Sequence, residues 1–147
     1  MRPDYFDLHD VSDYPLVRFV GNWAVAGSAR RWCAEMGRLV QGDQPFALIY
    51  PPGERLEAPE DRAMRAIWLK QNRAGLTVKC LALIVIEPDP VRRARIEAMF
   101  PTLIKAFGAT QAARATLIEA EALARGLVLA RRLLSGDAFS APEPGPV

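Results

Sequence analysis

The chain alternates between two hydrophobic periods, short apolar runs and longer stretches with apolar residues every three or four positions. Behind Pro15, the run Leu16-Val17-Arg18-Phe19-Val20 is rich in β-formers and is closed by Gly21-Asn22. The period then becomes helical, with Ala29, Trp32, Cys33, Met36, Leu39 and Val40 on one side, Ser28 as the expected N-cap and Gly42 as the stop. Phe46 to Tyr50 forms the next apolar run, and Pro59-Glu60-Asp61 opens a second helix that Gly75 is expected to end. Cys80 to Ile86 is the most apolar segment, as in a strand covered on both faces. Asp89-Pro90 starts a third helix with the stripe Ile96, Met99, Phe100, Leu103 and Phe107, in which Pro101 predicts a kink or a break.

These patterns predict helices over 28–41, 60–74, 90–107 and 120–134, and strands over 16–20, 45–50, 80–86 and 114–118. The fold class they imply is α/β: four strand–helix units joined by right-handed crossovers into a mostly parallel sheet of four to five strands, with helices packed on it. Residues 1–14 are expected to be an arm or an edge strand, residues 15–134 the domain, and the proline-rich residues 135–147 a disordered tail.

Composition adds mainly exclusions. At 147 residues there is room for one domain, and 19 basic against 17 acidic side chains leave no charge excess to favour nucleic acid. Cys33 and Cys80 stand apart in apolar surroundings and read as buried, reduced thiols. The polar N-terminus does not read as a signal peptide, and no apolar run approaches the ~20 residues of a membrane span. Cytoplasmic location without membrane insertion is the expectation.

Chemistry is sparse. The one histidine, His9, falls in the acidic arm and is expected to be solvated. The serines do not sit at a nucleophile elbow, glycine-rich phosphate loops are missing, and Asp4, Asp7, Asp10 and Asp13 lack calcium-loop spacing. No catalytic residue, metal or cofactor is predicted. Parallel sheets bind small molecules beyond the carboxyl ends of their strands. That places an alternative anion or lipid site at Pro52 and Gly53, with Asp89, Arg92 and Arg93 from the next loop. Glu87, Asp89 and Arg92 are also the only groups assembled for carboxylate–arginine chemistry, although Glu87 and Asp89 can simply neutralise the two arginines.

The order of elements resembles a STAS-type domain, the fold of anti-sigma-factor antagonists, over about residues 15–134. The resemblance is carried by Pro15-Leu16-Val17, Pro45-Phe46-Ala47-Leu48-Ile49, Trp68-Leu69-Lys70 with Arg73, and Glu121-Ala122. Phosphorylation-switched members carry a serine or threonine where the second main strand meets its helix; residues 51–61 here contain no hydroxyl side chain. The resemblance therefore implies the fold without the phosphoswitch, and a non-enzymatic regulatory or scaffold module working through protein contacts.

It also implies that the second helix meets the partner. A helical projection puts Met64, Ile67 and Trp68 inward, with Trp32 also in the core, and Arg62, Arg65, Leu69 and Arg73 outward as a surface for an acidic protein partner. On the last helix, Leu123, Leu127, Ala130 and Leu134 are assigned to the core. Ala122, Leu129 and Leu133 form a second stripe, to be covered by Phe6 and Leu8 of the arm or by a homodimer.

Overall fold

The computed structural model describes residues 1–53 and 56–136. Glu54, Arg55 and the expected disordered segment 137–147 lie outside the described residues. The elements are β1 (His9–Asp13), β2 (Leu16–Phe19), α1 (Ser28–Gln41), β3 (Phe46–Tyr50), α2 (Pro59–Gln71), α3 (Arg73–Lys79), β4 (Cys80–Ile86), α4 (Pro90–Phe107), β5 (Gln111–Arg114) and α5 (Leu117–Ser135). The five strands lie side by side in chain order, β1 antiparallel to β2 and the other neighbours parallel. The mostly parallel α/β architecture of four strand–helix units thus stands, with residues 9–13 taking the edge-strand alternative.

Strand order that advances in one direction through same-handed crossovers puts the connecting helices on one face. Trp32, Met36 and Leu39 of α1, Leu69 of α2 and Leu76 of α3 pack there against Val17, Phe19, Phe46, Leu48 and Tyr50. α5 follows the last strand and covers the opposite face alone, Ala120, Ala124 and Val128 meeting Leu16, Ala47, Ile49, Ala82 and Ile84. Ala47 is registered beside Ala82, so small side chains on both sides let helix and sheet approach closely. That close approach overturns the expected stripe. Alanines and a valine face inward, Leu123 and Leu127 flank them, and Leu134 is 86% exposed with Ala130 also outside.

Other boundaries shift for local reasons. The Thr116 hydroxyl accepts the Glu119 N–H at 3.2 Å, which starts α5 at Leu117 and confines the fourth parallel strand to Gln111–Arg114 instead of 114–118. Gly75 does not end a helix. It lies inside α3, where Val40 of α1 approaches so closely that a Cβ would sit 2.7 Å from it. Pro101 does not end α4. Gly108 ends α4 in the left-handed region (φ 81°), with Thr77 and Arg73 crowding the position.

The N-terminal segment is part of the core. Phe6 packs on the α1 side of the sheet, so it does not cover the α5 leucines. His9 is 2% exposed, not solvated, because it sits on β1 facing α1, where its ring meets Phe19 edge-on at 5.5 Å and Glu35 supplies a partner. Cys80 is buried, as expected, and its thiol pKa is pushed up to about 12 by that burial. Cys33 is half-buried. No helix of the described residues is long and apolar enough to cross a membrane.

Candidate functional site

α2 is rotated relative to its hydropathy. Its buried residues are Asp61, Arg65 and Leu69, while Met64 is 39% and Ile67 56% exposed and Trp68 is half-buried. The cause is polar pairing. Asp61 accepts the backbone N–H groups of Gly27 at 3.0 Å and Ala29 at 3.4 Å, and so caps α1 in place of the expected Ser28. Arg65 makes a bidentate pair with Glu57, its Nε 2.9 Å from Oε2, while its guanidinium lies 4.4 Å over Trp23 and 5.5 Å from the Trp32 ring. Three aromatic and charged layers therefore lock α2 to α1 and to the β2–α1 loop.

The expected partner surface is dismantled by this rotation. Arg65 and Leu69 are interior, at 7% and 9% exposure, and only Arg62 and Arg73 remain outside. Arg73 opens α3 and donates to the carbonyl of Lys105 at 3.1 Å. What α2 offers solvent instead is an open, apolar groove shared with α1, lined by Ala63, Met64, Ile67, Trp68 and Cys33.

The loops at the strand carboxyl ends separate into two units. Glu87 accepts the Asp89 N–H at 3.0 Å, Asp89 caps α4 by accepting the Arg92 N–H at 3.1 Å, and Arg92 Nε lies 3.6 Å from Glu87. Arg93 donates to the Glu87 carbonyl at 3.0 Å. The turn neutralises its own arginines. Pro52 and Gly53 line a different cleft, of about 260 Å³, with Trp23, Tyr50 and Leu56, and neither Asp89, Arg92 nor Arg93 contributes to it. The residues expected to form one anion site are therefore not brought together.

Sequence reasoning missed a cavity of about 300 Å³ beneath α4. α4 spans 18 residues across the sheet without one fully buried side chain. Ile96, Phe100, Leu103 and Phe107 are only half-buried, and Met99 is 57% exposed, so the predicted stripe lines a space instead of filling a core. Leu83 and Val85 of β4 form the floor, and Trp32, Arg65 and Gln111 give the wall its polar atoms.

The second exposed feature is the outer face of α5. Ile118, Leu129 and Leu133 are 79%, 55% and 44% exposed, with Ala122 and Gly126 between them. Leu129 and Leu133 are thus placed outward as expected. The opposite side of the helix is anchored by Glu121, which accepts from Arg18 of β2, Nε to Oε2 at 3.0 Å.

Comparison with known protein families, curated proteins and solved structures finds no match.

Proposed function

We propose that this protein is a non-enzymatic interaction module of STAS-like architecture, and that the outer face of α5 is its contact surface for a second copy. The observation that carries the reading is Gly126. It lies mid-helix, where glycine costs about 1 kcal/mol relative to alanine, yet a Cβ there would meet nothing within 4 Å. The monomer has no use for it. A second backbone approaching that face would.

The stripe also suits two-fold pairing. Ile118, Ala122, Leu129 and Leu133 are spaced four, seven and four residues apart, which reads the same in either direction about a centre between Arg125 and Gly126. An antiparallel pair of α5 helices sets Ile118 level with Leu133 and Ala122 level with Leu129 along about 22 Å. By the same geometry, Arg132 of one copy comes to the edge and level of Glu121 of the other. The two Arg125 side chains approach at the axis, and Glu121, 3.8 Å from Arg125 within each copy, offsets their repulsion.

A single helix pair buries less than the ~1,200–2,000 Å² of a standard interface, so dissociation is expected on the order of 10 µM or weaker. Sedimentation equilibrium of the wild type beside a Leu129→Glu, Leu133→Glu variant tests it. Concentration-dependent dimerisation of the wild type, abolished in a folded variant, supports the reading. A wild type that stays monomeric at several hundred micromolar removes it.

A further inference from the structure

The cavity beneath α4 has the composition of a ligand site, and it stands independently of the α5 face. Its floor and roof are apolar: Leu83 and Val85 below, Ile96, Phe100 and Leu103 above. Apolar voids of this kind stay dry and accept apolar guests. A volume of about 300 Å³ is at the small end of ligand pockets. The rest of the same sheet face is tightly filled, with Trp32, Met36 and Leu39 at 2% exposure or less, so the loose seating of α4 is local.

The wall carries an unmet polar group. Trp32 is 2% exposed and lines the cavity, and its indole Nε1 is buried with no hydrogen-bond partner. A buried donor without an acceptor is costly, so native structures rarely keep one. Beside it stands Arg65, which gives Nε and Nη2 to Glu57. Because Glu57 already balances the arginine, this end of the cavity holds no net charge for an anion. It offers N–H groups to a neutral oxygen.

We propose that the cavity binds a small, uncharged, mainly apolar molecule bearing one carbonyl-type acceptor, with the oxygen on Trp32 Nε1 and the hydrocarbon between α4 and β4. A carboxylate is disfavoured because it would face the Glu57 carboxylate across Arg65. A plain hydrocarbon fills the space but leaves the indole donor unmet.

Three probes of matched shape separate these cases: acetophenone, ethylbenzene and benzoate. Binding to the full chain is read from the indole N–H signals in ¹H–¹⁵N spectra, the Trp32 signal assigned by Trp32→Phe. Acetophenone should shift the Trp32 indole proton downfield and bind about five-fold or more tightly than ethylbenzene, the loss expected when a buried donor goes unpaired. Benzoate should bind least. Leu103→Trp, which fills the cavity, should abolish binding. If that variant does not fold, Met99→Trp at the exposed rim should weaken binding while the unfolding midpoint is kept. Equal affinity for acetophenone and ethylbenzene, tightest binding by benzoate, or no shift of any lining residue at millimolar probe would each overturn the proposal.

Discussion

The Glu35 carboxylate and the His9 imidazole share a 2.9 Å hydrogen bond with both side chains wholly enclosed. Glu35 also accepts the backbone N–H groups of Asp7, Leu8 and His9 at 3.0–3.2 Å, and Arg31 Nε at 2.8 Å. One residue of α1 thereby fixes the whole entry of the edge strand. Removing the charge leaves several buried donors without an acceptor. Glu35→Ala is expected to cost about 3–5 kcal/mol, the range for breaking a buried pair. Chemical denaturation checks this; a loss under ~1 kcal/mol would show the edge strand to be held by Phe6 and Val11 alone.

The same site sets an acid limit. Burial by itself would raise the Glu35 pKa, but hydrogen bonds from His9, from the Asp7 and Leu8 backbone and from Arg31 outweigh it, holding the group at about 2 against an ordinary 4.5. A depressed carboxylate stabilises the fold fully above its unfolded pKa. Its contribution should fall as pH drops from about 4.5 towards about 2. In Glu35→Gln the slope of unfolding free energy against pH over this window should be shallower than in the wild type, with little difference between the slopes above pH ~6.

α2 shows where hydropathy misleads. The element order, the position of β4 and the full burial of Ile84 were legible because apolar runs and helical periods report local patterning. The rotation of α2 was not, because its inward face is Asp61 and Arg65, whose partners Gly27, Ala29 and Trp32 lie about thirty residues away in sequence. The burial of His9 was hidden likewise, since Glu35 reads as a surface residue of α1 until the edge strand is in place. The cavity left no sequence signal. Ile96, Phe100 and Leu103 look like any core stripe.

The rotation reverses the mutational ranking that periodicity suggests for α2. Leu69→Ala should cost about 2–3 kcal/mol, at the low end for a buried leucine because the site borders a cavity. Ile67→Ala, at 56% original exposure, should stay within ~0.5 kcal/mol. Arg65→Ala should be worse than either, since it strands a buried Glu57, whereas Arg65→Met with Glu57→Leu should restore most of the loss. Urea midpoints of the four variants decide the order. A more damaging Ile67→Ala would put the hydropathic face inward after all.

Gly126 gives the final prediction, because two measurements on one position should move in opposite directions. In the isolated chain its Cβ position is open, so Gly126→Ala should stabilise α5 by up to ~1 kcal/mol through helix propensity. Gly126→Leu should fold equally well, because the added side chain also projects into solvent. In the paired state, helices meeting at a glycine can approach more closely than helices separated by a leucine. Gly126→Leu should therefore weaken self-association while the thermal midpoint of the dilute monomer stays the same or rises. Thermal unfolding at low micromolar concentration reads the first quantity, and sedimentation at high concentration reads the second. If Gly126→Leu associates as well as the wild type, the glycine has no role at an interface. The dimer axis would then have to lie elsewhere on the Ile118–Leu133 stripe.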